Sequence, residues 1–126
     1  MDLVHIPRIE ESLRAFGSRF AQKLFTEAEI AYAQSSPTEQ AARFAARFAA
    51  KEATIKALSL SDAGVDWRDM EVQRADDGAC TLVLRRQALE AARALHIGSV
   101  LVCLSHDGEY GAAVVAALSD TAEQHG

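Results

Sequence analysis

The stretch at residues 41–58, AARFAARFAAKEATIKAL, limits what this chain can fold into more than any other part. Alanine is dense there and Gly and Pro are absent, which predicts one long helix. Ser36 as N-cap, Pro37 at the first helical position and Glu39 three residues after Ser36 predict a capping box at its start. At about 100° per residue, Ala41, Phe44, Phe48, Glu52 and Ile55 share one face. Arg43, Arg47 and Lys51 follow a separate, cationic side at i, i+4 spacing. A carboxylate inside an apolar stripe has two readings. Either Glu52 pairs with Lys56 on the edge of the stripe, worth about 0.2–0.5 kcal/mol. Or it is a metal-binding or catalytic carboxylate at a helix–sheet seam, because a buried charge is costly without a cation or donors beside it.

The length of 126 residues fits one domain. Residues 1–120 read as that domain and 121–126 as a polar C-terminal tail. Residues 1–6 look like the end of a strand. Pro7 opens a helix to about Phe16, and Gly17 ends it. Residues 18–25 continue as a short helical piece. Thr26 and Glu29 make a second capping box, starting a helix through about Ala33. After a loop at 59–64, residues 65–74 read as a strand with an uneven start. ADDG at 75–78 is a hairpin turn into a strand at 81–84. Residues 86–95 form a helix, and strands at 99–105 and 110–118 flank a turn. Helices come first and antiparallel strands later. That order predicts an α+β domain, its helices packed on an antiparallel β-sheet.

Composition excludes some functions. A net charge of −5 argues against general nucleic-acid binding, though local basic patches remain open. No apolar run has the length of a membrane span, and the N-terminus lacks a signal-peptide pattern. Cys80 and Cys103 stand far apart without a CxxC, so neither a zinc site nor a disulfide framework is indicated. A cytoplasmic setting is the expectation.

Asp2 at a strand end, Glu52 on the helix and Ser105–His106–Asp107 at a strand–turn junction are the candidate chemical groups. Two separated carboxylates suit a hard divalent ion such as Mg²⁺, with water and ligand phosphates completing its shell. Lys51 and Lys56 flank Glu52 and can meet phosphates as point charges. His106 can act as a general acid or base, or as a hydrogen-bond donor. Ser105 and His106 are neighbours on a strand and point to opposite faces, which argues against a Ser105 nucleophile activated by His106. Arg8, Arg14 and Arg19 give the N-terminal region basic spots, read either as a solvated face or as a docking surface for an acidic partner.

The segments DLVHIPRIEESL, FTEAEI, RFAAKEATIKAL, WRDMEV and LSHDGEYGAAVV occur in this order from Asp2 to about Ala117. In them the chain resembles the holo-acyl-carrier-protein synthase family, the small phosphopantetheinyl transferases. RFAAKEA with a following KA is the most specific segment. The resemblance implies transfer of 4'-phosphopantetheine from coenzyme A to a serine of an apo-acyl carrier protein, with release of adenosine 3',5'-bisphosphate. A non-catalytic protein that binds coenzyme A or a carrier protein is the alternative. The resemblance further implies that Asp2 and Glu52 bind Mg²⁺. It makes Glu52, Lys56 and His106 catalytic. Lys51, Lys56, Ser59 and His106 lie near coenzyme A, and Arg8 and Arg14 meet the acidic carrier protein. It implies a homotrimer with coenzyme A at the subunit interfaces. Relatives have a longer strand before the Asp and often a Gly where this chain has Ser59.

Overall fold

The structure, a computed structural model, describes residues 1–61 and 64–120. The expected tail at 121–126 lies outside the described residues. Strand β1 (Asp2–His5) runs directly into helix α1 (Ile6–Phe16), followed by α2 (Ser18–Leu24), α3 (Glu27–Gln34) and the long α4 (Gln40–Ala57). Then come a 3₁₀ turn (Trp67–Asp69), β2 (Met70–Arg74), β3 (Cys80–Leu84), α5 (Arg86–Ala94), β4 (Ile97–Asp107) and β5 (Tyr110–Ser119). All five strands join one antiparallel sheet in the order β1-β5-β4-β3-β2. The α+β reading holds.

Local chemistry explains most boundaries. Gly17, at φ 57°, takes the chain from α1 into α2, and its N–H donates to Leu13 O at 2.8 Å. Thr26 and Glu29 form the expected capping box, each side chain accepting the other's backbone N–H. The box expected at Ser36 does not form. Residues 37–39 make a turn instead, in which the Ser36 carbonyl accepts the Glu39 N–H at 3.1 Å, and α4 starts with no side-chain cap. The uneven start at residue 65 is the 3₁₀ turn, capped by Asp66, which accepts the Arg68 N–H at 2.9 Å. The strand itself begins at Met70.

Helix α4 lies between two cores. On its sheet side, Ala49 and Ala50 pack with Met70, Val72, Leu82, Val100, Val102 and Ala113. On its other side, Phe44 and Ala45 pack with Ile6, Ile9, Ala21, Phe25 and Ala33 of the first helices. The helix presses closely on β5. A Cβ added at Gly111 would stand 2.7 Å from Ala46 N and 2.8 Å from Ala45 C, so only glycine fits there. That contact also explains why the alanine-rich β5 is a strand: small residues admit the helix.

Register then fixes the two faces of the sheet. Asp2 pairs with Ala113, and Val4, Gly111 and His106 align across β1, β5 and β4 on the α4 side. Leu3, Leu101, Val114 and Leu118 point the other way, where they are 44–59% exposed.

Candidate active site

β1 delivers Asp2 to the flank of α4, where it is 8% exposed. Glu52 interrupts the apolar stripe of α4 there, and Ile55 beyond it packs against the core. Phe44 is buried and Phe48 partly so among the helices, and Glu52, one turn on, is half-buried. Lys56, one turn further, places Nζ 3.0 Å from Asp2 Oδ2. Burial pushes the Glu52 carboxyl above the ordinary carboxylate range, and the nearby Asp2 charge pushes it further. Lys56 and Arg8 pull it back down. The hydrogen bond to Asp2 raises the Lys56 pKa. Asp2, Glu52, Lys56 and Arg8 therefore form one cluster. Glu52 and Lys56 do attract each other at i, i+4, but the Lys56 hydrogen bond goes to Asp2.

His106 lies elsewhere. It lines a cleft of about 140 Å³ with Tyr32, Glu39, Arg43, Arg47 and Arg74. Three guanidinium groups surround the Tyr32 ring, at 4.2 Å for Arg43, 4.3 Å for Arg47 and 5.6 Å for Arg74. Arg43 also donates to Tyr32 O at 2.8 Å and Ser35 Oγ at 2.9 Å. Arg47 is buried with its Nε unpartnered, and burial lowers its pKa. Arg43 and Arg47 sit about 140–180° around α4 from Glu52 and Lys56, at about 100° per residue. The helix thus separates two polar clusters, one of two carboxylates with Lys56 and Arg8 and one cationic. The i, i+4 spacing of Arg43 and Arg47 was the legible signal for the second. Arg74 and Tyr32 carried none, because they come from other elements.

Other expected positions fall differently. Lys51, expected near a coenzyme A phosphate, has a fully buried side chain and meets no surface. Its Nζ donates to Glu29 Oε1 at 2.8 Å and to Trp67 O at 2.9 Å. Its placement is thus corrected to the core. Arg14 is exposed and lines a groove with Glu10, Leu13, Pro37, Thr38 and Gln40, apart from Arg8. Ser59 is exposed just past α4 at φ 55°, a left-handed backbone that suits glycine better than serine. Phe16, Arg19, Phe20, Lys23, Leu24 and Arg68 line a larger groove of about 630 Å³.

Residues 1–115 match the family model of the 4'-phosphopantetheinyl transferase superfamily. The chain is 41% identical to the holo-[acyl-carrier-protein] synthase of Koribacter versatilis over 116 residues, which is 91% of this chain and 92% of that one. It belongs to the holo-[acyl-carrier-protein] synthase family. The synthase of Moorella thermoacetica is 38% identical over 126 residues, covering 98% of this chain and 95% of that one. Among solved structures, Helicobacter pylori holo-[acyl-carrier-protein] synthase in complex with coenzyme A superposes with a TM-score of 0.80 at 26% identity, covering 92% and 96% of the two chains. The Chronobacterium ammoniagenes ACPS–CoA complex gives 0.78 at 32% identity, covering 94% of each chain.

Within this family member, Asp2 and Glu52 are the residues suited to a metal. Two hard carboxylates in one cluster could hold Mg²⁺, which takes one or two protein carboxylates and fills its octahedron with water and phosphate oxygens. Among the described residues no cluster of three or more metal-ligating side chains exists, so the remaining positions would fall to solvent and ligand.

Proposed function

We propose that this chain transfers the 4'-phosphopantetheine group of coenzyme A to a serine of an apo-acyl carrier protein and releases adenosine 3',5'-bisphosphate. The observation that carries the reading is the cluster of Asp2, Glu52 and Lys56 in a member of this family. Mg²⁺ held by Asp2 and Glu52 would offset negative charge on the pyrophosphate as the in-line displacement develops. The serine oxygen bonds to the β-phosphorus. The bond from that phosphorus to the bridging oxygen breaks, and the leaving bisphosphate takes the electron pair. Lys56 adds a mobile positive charge near the phosphates. Glu52 is the candidate acceptor of the serine proton by its place in the cluster with Asp2 and Lys56.

His106 belongs to the same reaction only if a second copy supplies it. Its cleft with Arg43 and Arg47 lies on the opposite flank of α4 from Asp2, so one chain does not bring the two clusters together. We therefore propose a homotrimer in which coenzyme A bridges two copies. The exposed apolar row of Leu3, Leu101, Val114 and Leu118 supports such an assembly. Arg8 and Arg14 on α1 are proposed to meet the acidic carrier protein. A cytoplasmic setting goes with Cys80 and Cys103, both free thiols. No helix among the described residues is long and apolar enough to cross a membrane.

The test is mass spectrometry of an apo-acyl carrier protein incubated with this chain, coenzyme A and Mg²⁺, with and without EDTA. A gain of one phosphopantetheine that disappears with EDTA is expected. No gain on any of several carriers would overturn the transferase reading and leave binding alone.

A further inference from the structure

Lys56 stands between the metal and the phosphate roles, and its geometry links them. Its side chain is 70% exposed, while the carboxylate it holds is 8% exposed. A charge reaches in from solvent to compensate one that is largely out of water. Among the described residues, Lys56 is the only cation within hydrogen-bond distance of Asp2, and Arg8 acts on Glu52 through space. The bond goes to one oxygen, Oδ2, at 3.0 Å. Oδ1 is left open to an ion that Asp2 and Glu52 would hold, so the ammonium and the ion compete through charge rather than through lone pairs. The ion would stand within a few ångströms of the ammonium, and two cations at that range repel. The ammonium sits on a flexible, exposed four-carbon stem, so it can swing away without disturbing the core.

We propose that the Lys56 ammonium is the resident counter-ion of the Asp2–Glu52 pair, which a divalent cation displaces, and that the displaced ammonium then takes a phosphate of the ligand. The inference rests on the metal reading given above. It makes one side chain couple metal entry to phosphate capture. It also predicts an unusual sign. Removing a positive charge from the site tightens metal binding while it impairs turnover.

The experiment is Mn²⁺ titration of the full chain by electron paramagnetic resonance, without coenzyme A. The variants are Lys56→Met, Lys56→Gln, Lys56→Arg and Asp2→Asn, each checked for native circular dichroism. Lys56→Met and Lys56→Gln are expected to bind Mn²⁺ about three- to tenfold more tightly than the unaltered chain, the size of a near-surface charge interaction. Lys56→Arg keeps the charge and is expected to keep the affinity. Asp2→Asn is expected to abolish the site. Unchanged or weaker binding by both neutral variants, with Asp2→Asn still abolishing it, overturns the displacement and leaves the metal reading standing. Equal Mn²⁺ binding by Asp2→Asn and the unaltered chain removes the metal reading, and the displacement with it.

Discussion

Glu52 is a residue whose environment works against its own charge. Its pKa is raised in the folded chain, so protonation favours folding. That benefit is full below the ordinary carboxylate value and is lost as pH rises through the folded pKa. Glu52→Gln keeps the neutral form throughout. The variant is expected to unfold at a higher temperature than the unaltered chain near neutral pH, with the difference vanishing in acid. Its phosphopantetheine transfer should fall by about a hundredfold or more, the scale of losing a general base. Calorimetry across pH reads the first effect, and a lower midpoint at neutral pH would contradict it. Burial works against the Lys51 charge as well and pulls its pKa down, but here a buried partner, Glu29, pulls it part of the way back up. Lys51→Met leaves Glu29 buried without its cation and is expected to cost about 3–5 kcal/mol in urea denaturation. A second change, Glu29→Gln, should recover part of that loss. A loss under about 1 kcal/mol for Lys51→Met would mean that the pair is not charged in the fold.

Elements were legible where their signals were local. Pro7, Gly17 and the Thr26–Glu29 box set boundaries through atoms a few residues apart, and the structure keeps them. The Ser36 box failed because the Ser36 carbonyl accepts the Glu39 N–H in a turn that starts the helix later. The 3₁₀ turn at Trp67–Asp69 was hidden because its cap, Asp66, reads as an ordinary strand residue. Lys51 was misplaced for a longer-range reason: its partner Glu29 lies 22 residues away. Glu29 also accepts the Val72 N–H at 2.9 Å, so α3 covers the edge of β2. The Asp2, Glu52 and Lys56 cluster was legible through family likeness and through the carboxylate on the α4 stripe. Its separation from His106 was not, because that depends on which flank of α4 each strand reaches. The contact between α4 and β5 has its own test. Gly111→Ala sets a methyl against helix backbone, which cannot swing aside, and should cost about 1–3 kcal/mol, as overpacking does. A variant as stable as the parent in urea would show that α4 rides further from the sheet.

At the scale of the whole molecule, the feature that stands out among the described residues is the exposed apolar row on one face of the sheet. Leu101→Glu and Val114→Glu each put a charge into that apolar row. Either is expected to reduce the proposed trimer to smaller species in light scattering, with loss of transfer activity and native circular dichroism retained. An unchanged mass for both variants would move the interface elsewhere. Subunit mixing asks the matching question of the site. Glu52→Gln and His106→Ala chains are each expected to be weak alone. Mixed and allowed to exchange, they should recover part of the activity, because some junctions receive both intact halves. No recovery, with exchange verified by mass spectrometry, would mean that both groups serve within one chain.

Because α4 keeps the Asp2 and His106 clusters on opposite flanks, the proposed trimer implies that a solitary molecule would own two half-sites and no whole one. On that proposal, catalytic capacity would belong to the junctions between molecules. Diluting a fixed amount of protein below the dissociation constant of the assembly should therefore make the rate per chain fall, where an enzyme with a self-contained site would hold it constant.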